Sequence, residues 1–177
     1  MEKNVQDSLV WGAEETVLGW IAVGVSASGL ARVEFSDVAN GMVHSEGLSL
    51  VNEALQQIHA YLAGDLKKFD LPLDWSGMGE FQKSVLKQTI LIPYGQVITY
   101  GDIANILGKP GSARAVGRAE ATNPMPLVIP CHRVIGQDGH LHGYGGRGGI
   151  ITKAWLLKME GVLVDNDRFL IQPRFSF

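Results

Sequence analysis

The 177-residue chain holds a single cysteine, Cys131. One thiol closes no intramolecular disulfide, and it excludes a zinc ribbon, a CxxC redox pair or any other site built on two thiolates. No stretch approaches the roughly 20 apolar residues of a membrane-spanning helix. The first residues, Met1-Glu2-Lys3-Asn4-Val5-Gln6-Asp7, are polar and carry no apolar signal segment, so a cytoplasmic protein is expected. Repeats and low-complexity tracts are lacking, and charged residues make up only 19%. What is present, 46% hydrophobic residues, is enough to bury one sizeable core or two small ones.

The net charge of −3 is unevenly spread. Residues 1–78 carry 4 Lys and Arg against 11 Asp and Glu, whereas residues 79–161 carry 9 against 5. A polyanion would therefore meet the second part, although the basic excess is small for a dedicated nucleic-acid domain.

Short apolar runs at Ser8–Trp11, Val17–Val25 and Leu30–Phe35 read as strands, with Ser26-Ala27-Ser28-Gly29 as a hairpin turn. Leu48–Leu62 has helical apolar spacing and stops at Gly64. Lys67–Met78, with Pro72 and Gly77, reads as a linker, which gives three parts: 1–78, 79–161 and a tail 162–177. The fold expected is an α/β N-terminal domain, a small sheet plus a helix, followed by a mainly helical C-terminal domain. In the latter, Phe81–Leu91, Tyr100–Leu107 and Ala113–Ala121 read as helices, the last with Ser112 as N-cap. The pair joined by Gly108-Lys109-Pro110-Gly111 makes a helix-turn-helix pattern. Three prolines, Pro124, Pro126 and Pro130, forbid a helix before Cys131 and predict a buried extended segment that delivers it. A glycine-rich loop, Gly136–Gly149, follows, and then a helix over Lys153–Glu160, apolar at Trp155, Leu156 and Met159 and ended by Gly161.

A lone cysteine is most often a small buried hydrophobe. Cys131 stands apart because His132 and Arg133 follow it, and an imidazole and a cation favour the nucleophilic thiolate. On an extended strand adjacent side chains point to opposite faces, so Cys131 and His132 need a turn or a bridging water to communicate. Two charges oppose their helix dipoles, Arg114 in a first turn and Glu160 in a last turn, each at a cost of roughly 0.3–1 kcal/mol. Glu160 placed against a ring nitrogen of His132 would fix its tautomer, and Arg114 is placed to project into a nucleic acid.

Ile129-Pro130-Cys131-His132-Arg133-Val134 resembles the active-site signature of the methylated-DNA–protein-cysteine methyltransferases, the alkylguanine-DNA alkyltransferases. The resemblance continues through Phe81-Gln82, Ile92-Pro93-Tyr94-Gly95, Thr99-Tyr100-Gly101, Ala113-Arg114-Ala115-Val116-Gly117, Asn123-Pro124, Gly143-Tyr144-Gly145-Gly146 and Trp155-Leu156-Leu157 with Glu160-Gly161. Arg114 and Asn123 precede the cysteine by 17 and 8 residues, which makes the match specific over residues 79–161. It implies a single-use repair reaction on duplex DNA, in which Cys131 takes the alkyl group from O6 of guanine, and also from O4 of thymine. His132 would take the thiol proton through water, Glu160 would orient it, and Tyr100 would donate to the departing purine. Asn123 would tie the DNA-binding helix to the active-site turn. The resemblance implies minor-groove docking through Ala113, Ala115 and Gly117, a base-replacing finger at Arg114, and DNA contacts from Tyr100 and Arg133. Pro126, Pro130, Val134, Tyr144 and Gly145 would wall the base pocket.

The chain departs from the family pattern in two places. The loop between Tyr144 and Lys153 is two residues longer than usual, and Gly145 leaves no side-chain hydroxyl beside the base. Some members hold a structural zinc in the N-terminal domain. Here His44 and His59 lack partner ligands, and His140 and His142 read as loop surface residues, so neither metal nor cofactor is expected. A monomer without a membrane or an obligate protein partner is expected. Three other readings stay open: a lesion-binding protein without transfer, a regulator whose cysteine senses alkylation, and a cysteine hydrolase.

Overall fold

The computed structural model describes residues 9–36, 49–165 and 168–169. They divide into two units, at Met78 and Gly79. The first is a three-stranded antiparallel sheet in the order β1 (Val10–Thr16), β2 (Gly19–Ser26), β3 (Gly29–Ser36), packed on helix α1 (Ser49–Leu62). Sheet and helix bury Ile21, Val23 and Leu30 against Val51, Leu55, Ile58 and Tyr61. β1 does not stop at Trp11 as expected; it runs on through Gly12, Ala13 and two glutamates to Thr16. Gly12 is a point of close approach and not a strand end, since a Cβ there would come 2.4 Å from Cγ1 of Val51. Ser8, His44 and Leu48 lie outside the described residues. His59 pairs with Glu14 at 2.7 Å.

Residues 72–74 are not the free linker that the composition suggested. Leu30 N donates to Pro72 O and Asp74 N to Leu30 O, both at 2.8 Å, and the Ser26 hydroxyl donates to the Asp74 carboxylate at 2.5 Å. The segment thus gives backbone partners to the edge of β3, which would otherwise stand open.

In the second unit, α2 (Glu80–Thr89), α3 (Tyr100–Ile106) and α4 (Ala113–Ala121) surround a core of Val85, Ile92, Ile98, Ile103, Val116 and Val134. Ser112 stands at the N-cap of α4 without a side-chain bond. The side-chain cap belongs to α3, where Thr99 and Asp102 satisfy each other's backbone N–H. A parallel pair, β4 (Ile98–Thr99) with β5 (Val134–Ile135), sets the start of α3 beside the segment that follows Cys131.

Helix α5 runs from Ile150 to Met159, one turn earlier than its apolar pattern indicated. Its buried side chains are Thr152, Lys153, Ala154, Leu156 and Leu157, while Trp155 is 38% exposed. Val162 and Val164 join Val97, Ile135, Leu141 and Leu157 in a second core, so the start of the expected tail is part of this unit. A short antiparallel pair, β6 (Val164–Asp165) with β7 (Arg168–Phe169), follows. No helix among the described residues is long and apolar enough to cross a membrane.

Candidate active site

Cys131 is delivered by a chain of turns and not by an extended strand. Ile129 N donates to Met125 O at 2.8 Å, with Leu127 between them at φ 72°. Pro130, at φ −81° and ψ 61°, forms an inverse γ-turn in which Cys131 N donates to Ile129 O at 2.8 Å. Cys131–Arg133 then makes one 3-10 turn. Three prolines remove the donors that a sheet ladder needs, and Asn123 supplies partners in their place. Its Nδ2 donates to Ile129 O at 2.9 Å, and its Oδ1 accepts from Met125 N at 3.0 Å. Asn123 lies two residues past the end of α4, so this helix and the cysteine turn are joined through one side chain.

Behind the turn lies a buried charge cluster. Glu160, at the C-cap of α5, receives Nε and Nη2 of Arg133 at 2.8–3.1 Å, Nε2 of His132 at 2.9 Å and Gly95 N at 3.0 Å. Arg133 Nη1 also donates to Ile92 O at 2.6 Å. Gly95 is at φ +76°, and a Cβ there would stand 2.8 Å from Glu160 O, so only glycine brings its N–H to this carboxylate without strain. Burial pushes Glu160 up, but the hydrogen bonds and charges of His132 and Arg133 outweigh it and hold the carboxyl well below the usual range. Burial likewise keeps His132 below its ordinary value, against the pull of Glu160. An ionised Glu160 only accepts, so the imidazole is neutral with its proton on Nε2, and Nδ1 is the basic nitrogen. The anion at the end of α5 is therefore compensated by two side chains and not by water.

In front of the turn is a cavity of about 620 Å³, lined among others by Tyr100, Gly117, Cys131, His142, Tyr144 and Gly145. That volume is typical of small-ligand clefts, roughly 300–1,000 Å³. Arg114 and Arg118, one helical turn apart on α4, line it and are exposed, and Ala113 lines it as well. Burial pushes the Cys131 thiol up to about 12, and Glu120 adds to the effect while Asn123 and Lys153 oppose it. The resting group is therefore the thiol, contrary to the thiolate expected from its neighbours in sequence. Burial also raises Tyr100, assisted by Glu120 and Cys131, so its phenol stays protonated. Lys153 is 1% exposed; its ammonium donates to Val134 O at 2.6 Å, to Leu141 O at 2.5 Å and, more distantly, to Tyr100 Oη at 3.5 Å. Burial pulls it down to about 8, against the opposing charges of Cys131 and Glu120.

Several residues stand elsewhere than their sequence context indicated. Arg133, expected on DNA, is 5% exposed and locked onto Glu160. Val134 is a core residue of β5, and Pro126 and Pro130 are buried in the turns; none of the three lines the cavity. His142 is exposed in the glycine-rich loop, as expected, and also lines the cavity. Lys153, Glu120 and Arg118 were missed. Only Arg118 had a local signal, its four-residue spacing from Arg114 on one helix.

Residues 80–162 match the family described as 6-O-methylguanine DNA methyltransferase, DNA binding domain, and residues 9–75 match 6-O-methylguanine DNA methyltransferase, ribonuclease-like domain. The chain is 50% identical over 107 residues to a methylated-DNA–protein-cysteine methyltransferase of Mycobacterium tuberculosis, a match that covers 60% of this chain and spans 63% of that relative's length. It is 42% identical over 153 residues to the protein of the same name from Methanosarcina acetivorans, covering 83% of this chain and 95% of that one. The crystal structure of Mycobacterium tuberculosis OGT in complex with DNA superposes with a TM-score of 0.73 at 37% identity, covering 85% of this chain and 91% of that one. The O6-methylguanine-DNA methyltransferase of Pyrococcus kodakaraensis superposes at 0.64 and 28% identity, covering 86% and 99%. With both of its units matched in order, the chain belongs to the O6-methylguanine-DNA methyltransferase family, the methylated-DNA–protein-cysteine methyltransferases.

Proposed function

We propose that this chain repairs alkylated duplex DNA by moving the alkyl group from O6 of guanine, and from O4 of thymine, onto Cys131, once per molecule. The observation that carries the reading is the placement of one thiol in a cavity that Arg114 also lines, on a turn whose next residue, His132, is bonded to the buried Glu160. A neutral, protonated thiol at rest is protected from stray electrophiles, so the proton leaves only with substrate in place. His132, its Nε2 held by Glu160, takes that proton at Nδ1 through a water. The thiolate sulfur then bonds the alkyl carbon as the carbon–O6 bond breaks, and the electron pair passes into the purine. Tyr100 donates its phenolic proton to the purine, and the Lys153 ammonium faces the phenolate left behind. The ammonium also favours the thiolate.

Reaching the base requires it to leave the stack, at a cost of a few kcal/mol, least for a lesion that pairs badly. Arg114, exposed on α4, occupies the place vacated, and Ala113 and Gly117 allow the helix backbone to approach the groove floor. Asn123 holds the cysteine turn to that helix, and Tyr144 and Gly145 flank the base. The work is done by a monomer where the genome is kept, in the cytoplasm at the nucleoid or in the nucleus, and the chemistry calls for no cofactor.

The test is incubation with duplex DNA that carries O6-methylguanine with a labelled methyl group. One equivalent of label on Cys131, and none with Cys131→Ala, is the expected result. Binding without transfer would favour a lesion-recognition protein or a regulator, and released label with turnover would favour a hydrolase.

A further inference from the structure

Glu120 is a buried carboxyl that the reaction above does not use. It stands in the last turn of α4, is 5% exposed, and lines the cavity that holds Cys131. Its Oε1 lies 2.5 Å from the hydroxyl of Thr89 on α2, and its Oε2 is buried with no hydrogen-bond partner. A buried carboxylate with a bare oxygen bears the full desolvation cost of a charge. Thr89 supplies an independent count of protons. It is fully buried, and its one hydroxyl hydrogen has two oxygens in reach, Glu120 Oε1 and Val85 O at 3.1 Å. If the hydroxyl donates to Val85, the carboxyl must itself supply the proton for the 2.5 Å contact, and both bonds are satisfied only by the acid form.

The groups around this carboxyl make its proton consequential. Cys131 faces it from the 3-10 turn, Tyr100 from α3 and the Lys153 ammonium from α5, as their mutual electrostatic influence records. Arg114 and Arg118 on α4 itself and His142 of the glycine loop line the same cavity. Of these, only Glu120 can add a negative charge beside the sulfur before the reaction begins. We propose that Glu120 is a positioning residue for alkyl transfer: kept uncharged in its buried site, where one carboxyl oxygen has no hydrogen-bond partner, it keeps a second anion away from the sulfur that must become thiolate, and its ionisation acts as a brake. Burial pushes it up to about 7, so both forms are reached near neutrality. The consequence for repair rests on the function proposed above, but the state of the thiol is measurable without DNA.

The experiment follows alkylation of Cys131 by iodoacetamide in the full chain and in Glu120→Gln between pH 5.5 and 8.5, beside single-turnover methyl transfer from DNA. Iodoacetamide is attacked by the thiolate with loss of iodide, so its rate reports the thiolate fraction. The ratio of the E120Q rate to the unsubstituted rate should climb about tenfold across this range, the equivalent of one pKa unit at the thiol, with its midpoint near 7. Glu120→Met, which carries no charge and packs as an apolar chain, should give the same climb, and thermal melts confirm that both variants are folded. A ratio that stays flat with pH in both folded variants overturns the proposal, as does one that falls. A climbing ratio without any methyl transfer would sink the repair reading and leave the electrostatic one standing. Methyl transfer with a flat ratio would do the reverse.

Discussion

At the scale of single residues, the carboxylate of Glu160 organises the site. Four nitrogens from three other residues, His132, Arg133 and Gly95, converge on its two oxygens. Removing one partner of such a cluster leaves the others charged or unpaired in the interior, so Glu160→Ala should cost about 3–5 kcal/mol of stability, read from urea denaturation. Glu160→Gln should cost less, since it keeps an acceptor, yet it should slow methyl transfer because the His132 tautomer is no longer dictated. The same carboxyl sets an acid limit. It titrates lower in the folded chain than in the unfolded one, so the folded state binds fewer protons and its advantage, complete above the ordinary value of 4.5, drains away as pH falls. The acid limb of the stability profile should therefore be shallower in Glu160→Gln.

At the scale of elements, α4 is the helix proposed to meet nucleic acid and, through Asn123, it is tied to the cysteine turn. Arg114 touches none of the buried cluster, so Arg114→Ala should slow methyl transfer from duplex DNA about tenfold to a hundredfold, a part of the few-kcal/mol cost of turning out a base. Reaction with the free O6-alkylguanine base should be unaffected, a contrast that separates base extrusion from chemistry. Local patterns sufficed for this element. Its bounds, Ala113–Ala121, are those that the small-residue run and Ser112 indicated. The pairing of His132 with Glu160 was likewise legible. The misreadings share a physical cause: each depends on a partner distant in sequence. Arg133 reads as a surface cation until Glu160, 27 residues on, is found against it. Lys153 reads as the polar start of a helix, yet carbonyls 19 and 12 residues before it let an ammonium be buried. The proline segment announced that it could not be helical, but not that Asn123 would hold it as successive turns.

At the scale of the whole molecule, charge is distributed for modest affinity. Residues 79–177 carry 11 Lys and Arg against 7 Asp and Glu, and Arg133 and Lys153 are buried, so nine cations remain to meet phosphates and their excess over the acidic residues is small. The salt dependence of binding to undamaged duplex, read by fluorescence anisotropy, should have a slope of only about −2 to −4 in log K against log salt, at roughly −0.9 per phosphate contact. Specificity must then come from the lesion's weak pairing and from the cavity more than from backbone attraction. The lone sulfhydryl has a practical corollary for anyone handling the protein. Under the proposed reaction, a colorimetric thiol assay on a denatured sample counts unspent molecules directly, so each preparation would carry an internal gauge of how many repairs it has left.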